Sequence, residues 1–130
     1  FEKLELLFRN LCVHLHYKHN IFMKNINQTE WQELIANDSN AVIIDVRTAR
    51  ECAEGIIENA IMIDFLDFNL FKEWIEKLDK NRNYYIYCRS GQRSAQACQK
   101  LDEIEVNRTY NLLGGMLAWG GRTVIPEFKL

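Results

Sequence analysis

The chain has 130 residues, 48% hydrophobic and 26% charged, which suits one compact domain with a buried core and excludes two. Sixteen Lys and Arg against eighteen Asp and Glu leave a net charge of −2, so a polybasic surface for nucleic acid is not expected. No apolar run reaches the roughly 20 residues that a membrane span needs, and four cysteines without Cys-x-x-Cys spacing point to reduced thiols and a cytoplasmic location.

Leu4, Leu7, Phe8, Leu11 and Leu15 recur at helical spacing, predicting an amphipathic helix over residues 1–20. It forms an N-terminal extension, 1–25, ahead of a domain spanning 26–130, and its apolar face is expected to dock on a partner or a second copy. The stretch lacks a basic start followed by an unbroken apolar segment, so it is no intact secretory signal, although a cleaved one would leave no trace. Phe rather than Met at position 1 implies a trimmed, processed or longer chain. Cys12, His16 and His19 share one stripe of this helix, but no fourth ligand accompanies them and no metal is expected.

After a polar break at Lys24–Gln28, Thr29 and Gln32 have capping-box spacing and open a short helix through Ile35, ended by Asn37–Asn40. Ala41–Ile44 is an unbroken, mostly β-branched run, the pattern of a strand buried on both faces. Thr48 and Glu51 form a second capping box, starting a helix that Gly55 stops. Ala60–Ile63 reads as the next buried strand, Leu70, Phe71, Trp74, Ile75 and Leu78 as a helix face, and Tyr84–Tyr87 as a third strand. A helix over Gln92–Ile104, a strand over Thr109–Leu112 and a short helix over Met116–Trp119 complete the chain. The alternation predicts an α/β fold, a mainly parallel sheet with helices on both faces and functional groups at the carboxyl ends of the strands.

The segment Tyr84–Ser94 runs from a strand through Cys88-Arg89-Ser90-Gly91-Gln92-Arg93-Ser94 into a helix. A short strand-to-helix loop turns backbone N–H groups inward, and the helix dipole adds its positive end, so the loop cradles an anion. These dipoles, with Arg89 and Arg93, favour the thiolate of Cys88 and make it a nucleophile at neutral pH. Gly91 supplies the conformational freedom such a turn needs, and Ser94 is placed to cap orphan N–H groups at the helix start. An inert buried thiol is the commoner state of a single cysteine, but two arginines and a glycine within five residues would then incur desolvation without return.

Two chemistries use a cysteine in such a loop: phosphoester hydrolysis and sulfur transfer. Phosphatases of this type place the clasping Arg six positions after the Cys; here that position is Ser94, and Arg93 comes one residue early. The shorter ring encloses a smaller anion or a single sulfur. A cysteine-protease reading lacks a partner motif, the only histidines being His14, His16 and His19.

With these motifs the sequence resembles the single-domain members of the rhodanese (thiosulfate sulfurtransferase) family over about Ile26–Phe128. Ile44-Asp45-Val46-Arg47, Arg50-Glu51 and Gly55-Ile56 are similar to its first block, although Ile56 stands where a His is usual and Ile57-Glu58-Asn59-Ala60 where the family has Ile-Pro-Gly-Ala. Cys88–Ser94 resembles the active-site loop, Cys-x-x-Gly-x-Arg, and Leu112–Trp119 the last block. The resemblance implies the small rhodanese α/β fold and a persulfide carried transiently on Cys88, with no other cofactor. The implied partners are a small anionic sulfur donor such as thiosulfate and a thiol, cyanide-like or protein acceptor.

Around Cys88, the loop residues Arg89, Ser90, Gly91, Gln92, Arg93 and Ser94 are the expected anion-binding group, with Arg93 the main attractor of donor charge. Asp45 and Arg47 are expected to support the site structurally, Asp45 by pairing with backbone or an Arg. Cys98 and Cys52 are expected in the core, Cys98 too far along its helix to resolve a disulfide with Cys88. The alternatives are a non-catalytic regulatory module of the same fold and, disfavoured by loop length, a phosphatase or arsenate-reducing relative.

Overall fold

The computed structural model describes residues 23–128. The predicted N-terminal helix and its Cys12, His16 and His19 stripe lie outside the described residues. The elements are β1 (Met23–Ile26), α1 (Gln28–Ala36), β2 (Ala41–Asp45), α2 (Ala49–Cys52), β3 (Ile56–Ile57), β4 (Ile61–Met62), α3 (Phe68–Lys77), β5 (Asn83–Tyr87), α4 (Gln92–Glu103), β6 (Arg108–Leu112), α5 (Gly115–Ala118) and β7 (Thr123–Val124). Five strands form a parallel sheet in the order β1-β6-β5-β2-β4, and β3 pairs with β7 in a small antiparallel ribbon.

Strand β5 sits at the centre, and alternation of its side chains divides the core. Tyr84 and Ile86 join Ile44, Phe71, Ala97, Cys98 and Leu101 on the face covered by α3 and α4. Tyr85 and Tyr87 join Ile26, Trp31, Ile43 and Ile57 on the opposite face, where Met116 and Trp119 close over them. Both faces are apolar because both are covered, which is why β2 and β5 read as unbroken apolar runs.

The sequence expectations fail at the sheet's margins. The polar break at Lys24–Gln28 holds most of β1, among the described residues an edge strand paired only with β6, in which Ile26 alone is buried. An edge strand has one neighbour and one solvated side, so it carries no apolar signature. Helix α1 begins earlier than Thr29 predicts: Asn27 is its cap, with its side-chain oxygen accepting from Glu30 N–H at 2.9 Å. The run Ala60–Ile63 is only partly buried, because β4 is the opposite edge; Ile61 is 47% exposed while Ile63 is in the core. The β3–β7 ribbon, built from two-residue strands 66 positions apart at Ile57 and Thr123, has no local signal at all. The second capping box forms as read, with Thr48 and Glu51 exchanging hydrogen bonds across the first turn of α2.

Candidate active site

Cys88 follows directly on β5, at the point where the chain leaves the sheet and turns into α4, and it is 1% exposed. Its Sγ accepts from Gly91 N–H at 3.1 Å and Ser94 N–H at 3.5 Å, and Ser94 Oγ lies 3.3 Å away. Burial by itself would push the thiol up, but the Ser94 hydroxyl together with the amides of Ser94, Gly91 and Ser90 outweighs it and lowers the Cys88 value. Gly91 takes φ +104°, a left-handed conformation that a side chain rarely adopts, and it caps α4 so that three turns of helix dipole end at the sulfur. Ser94 does not cap the helix as expected; its hydroxyl faces Cys88 and Asn111 instead.

The inward direction of the loop amides has a source outside the loop. Cys88 and Arg89 carbonyls accept from Met116 N–H and Leu117 N–H, each at 3.0 Å, and a trans peptide holds N–H opposite its C=O. The N–H groups of Arg89 and Ser90 therefore face away from α5, and that of Ser90 acts on the sulfur. Gly115 makes this approach possible: a Cβ there would stand 2.4 Å from the Cys88 carbonyl oxygen and 2.6 Å from that of Arg89. Gly115 thus shapes the cradle itself.

Arg93 is brought to the site but is not free there. Its guanidinium makes a bidentate pair with Glu51 at 2.7 and 2.8 Å, and Glu51 also accepts from Thr48. The paired guanidinium holds the Glu51 carboxyl down to about 2. The first capping turn of α2 and the first turn of α4 are in this way clamped together. Beside them a cavity of about 350 Å³ opens to solvent, lined by Arg47, Glu51, Glu54, Arg89, Met116 and Leu117 among others. Arg89 is exposed at its rim, and Ser90 and Gln92 are also exposed.

Asp45 and Arg47 meet each other at the end of β2. Arg47 Nη2 lies 2.7 Å from Asp45 Oδ2, Nε donates to both carboxylate oxygens, and Nη2 also donates to the Gly55 carbonyl at 2.7 Å. Asp45 is fully buried and Arg47 nearly so, with its guanidinium 5.7 Å from the Tyr87 ring centroid. Asp45 is satisfied by partners from its own turn, which is a structural arrangement rather than a reactive one. Cys98 and Cys52 are buried; burial pushes the Cys98 thiol well up and Cys52 to about 12, far from a reactive state. Among the described residues no group of His, Cys, Asp and Glu has the arrangement of a metal site.

Residues 27–122 match the rhodanese-like domain family. The chain belongs to that family. Over 101 residues it is 42% identical to a protein of Bacillus subtilis named putative sulfurtransferase YtwF, the match covering 78% of this chain and 94% of the other. A sulfurtransferase of Allochromatium vinosum is 34% identical over 108 residues, covering 81% of this chain and 98% of its own. The crystal structure of a rhodanese-like domain protein from Staphylococcus aureus superposes with a TM-score of 0.70 at 33% identity, over 81% of this chain and 100% of the other. The α/β fold predicted from the strand and helix pattern, and the rhodanese-like form of it that the resemblance implies, are the observed ones, and relatives named sulfurtransferases associate the fold with sulfur transfer in general terms. No helix among the described residues is long and apolar enough to cross a membrane.

Two site residues escaped the sequence reading. Glu51 is read in the sequence as part of a capping box and of the first family block, with no role at the site, although an acidic residue at N3 of a four-residue helix can also reach outward. Asn111 sits 3% exposed in β6, and an Asn inside a strand of a sheet covered on both faces is the available signal, since a buried amide requires partners.

Proposed function

We propose that the protein is a rhodanese-type sulfurtransferase that carries a sulfane sulfur on Cys88. The Cys88 thiolate attacks the outer sulfur of thiosulfate or of another persulfide donor; the new S–S bond forms as the donor's S–S bond breaks, and sulfite or a thiolate leaves with the electron pair. A thiolate, cyanide-like or protein acceptor then attacks the terminal sulfur, and the Cys88 thiolate is the leaving group. No metal or organic cofactor enters either step. Arg89 at the cavity rim attracts the anionic donor, and the amides of Ser90, Gly91 and Ser94 hold negative charge at the sulfur.

The observation that carries this reading is the ring of donors converging on one buried sulfur, with Gly91 N–H at 3.1 Å. Two features favour it over phosphoryl transfer. Arg93 is turned onto Glu51 instead of across the cradle, and Tyr87, at the position preceding the cysteine, is buried with its hydroxyl accepting from Ile57 N–H. Mass spectrometry after mixing with thiosulfate tests the proposal. One sulfur atom added at Cys88, with sulfite released and no adduct in Cys88→Ser, is the expected result. An unmodified Cys88, or robust hydrolysis of aryl phosphates, overturns it.

A further inference from the structure

Ser94 Oγ lies 2.5 Å from Asn111 Oδ1 and 3.3 Å from Cys88 Sγ, and a hydroxyl has one proton to give to these two neighbours. The far side of the Asn111 amide decides the recipient. Asn111 Nδ2 donates to the Gly91 carbonyl at 3.1 Å and to Asn25 Oδ1 at 2.9 Å. The Gly91 carbonyl can only accept, so the amide is fixed with Nδ2 toward it and Oδ1 toward Ser94. Oδ1 has no proton, and at that separation Ser94 donates to it. Both residues are buried, Ser94 at 0% and Asn111 at 3% exposure, so bulk water is no substitute for either partner.

We propose that Asn111 is a positioning residue for the nucleophile: it holds the Ser94 hydroxyl proton away from Cys88 in the resting thiol and yields it only when the sulfur becomes anionic. With that proton on Asn111, Ser94 Oγ turns a lone pair toward the sulfur, an arrangement that accepts from an S–H and opposes a bare thiolate. Once the sulfur is charged, the hydroxyl rotates to donate to it and leaves Asn111 Oδ1 buried without a donor. The penalty for that orphaned acceptor offsets part of the stabilisation the hydroxyl provides. Asn111 therefore discounts the hydroxyl's share in holding the thiolate, beside that of the backbone amides, and sets how reactive the thiol is between turnovers. The other titratable groups near the sulfur are Arg89, next to it in the loop, and Arg93 and Cys98 on α4, with Glu51 of α2 and Asp64 acting on Arg93. Among the described residues none of these hydrogen-bonds to the Ser94 hydroxyl or to Asn111.

The inference concerns the same sulfur as the proposed transfer, but the pH dependence of Cys88 alkylation by iodoacetamide reads the thiol directly, whether or not sulfur moves. Asn111→Val frees the hydroxyl for the sulfur and lowers the alkylation midpoint; a merely structural Asn111 would loosen the amide cradle and raise it. Ser94→Ala in the otherwise native chain moves the midpoint by less than about half a pH unit, whereas the same substitution on top of Asn111→Val raises it by about one. A rise of a full unit or more for Ser94→Ala alone shows that the hydroxyl already belonged to the sulfur and overturns the proposal. So does an Asn111→Val midpoint at or above the native one. Should Asn111→Val fail to fold, Ser94→Ala by itself decides between the two.

Discussion

The carboxyl ends of β2 and β5 are neighbours in the sheet and are built from similar buried runs, yet they end in opposite states. At the end of β2, Asp45 and Arg47 satisfy one another and Arg47 reaches on to the Gly55 carbonyl. At the end of β5, Cys88 meets several donors converging on a single sulfur, held by a Gly-dependent turn and by carbonyls pinned to α5. The first arrangement has as many acceptors as donors and closes on itself. The second has an excess of donors, and an excess of donors in a buried place is complete only when negative charge arrives. The difference shows that position at a strand's carboxyl end does not make a residue reactive; the balance of donors and acceptors there does.

Breaking the closed corner has the largest effect on stability. Asp45→Ala leaves the Arg47 guanidinium buried and unpaired, and is expected to destabilise the fold by about 3–5 kcal/mol. Urea denaturation measures it, and a loss below about 1 kcal/mol would mean that the corner relaxes to let water reach Arg47.

The clamp between the two regions sharpens the comparison at smaller amplitude. Arg93→Ala removes a cation near Cys88 and also uncovers the Glu51 carboxylate, so kcat/KM for thiosulfate should fall roughly tenfold, through KM and less at high salt. Glu51→Gln frees Arg93 and should act in the opposite direction. Steady-state kinetics at two ionic strengths separate these outcomes; equal KM values in both variants would leave anion attraction to Arg89 and the backbone.

The smallest effect lies on the acid side. The Glu51 carboxyl is held at about 2 in the folded chain against 4.5 ordinarily, so its contribution is fully present above pH 4.5 and is lost as pH falls toward 2. Because the pair is part-exposed, screening limits that contribution to about 1 kcal/mol. Acid titration of stability should show this limb in the native chain and lack it in Glu51→Gln.

What the sequence determined by itself were features with a local physical cause. Covered strands read as apolar runs because both their faces are buried, as in Ala41–Ile44 and Tyr84–Tyr87. The Thr48 box formed because its partners are three residues apart, and Cys88 stood out because a thiol, glycine and arginines share one turn. Only the tertiary structure decided the rest. Met23–Ile26 is a strand because β6 lies beside it, Arg93 is neutralised because α2 brings Glu51 across 42 positions, and the Ser94 hydroxyl turns from capping to Asn111 because that residue lies 17 positions away in sequence and in contact in space. Propensity and spacing act over one turn of chain, whereas a hydrogen bond between distant segments exists only after the core has placed both ends within reach.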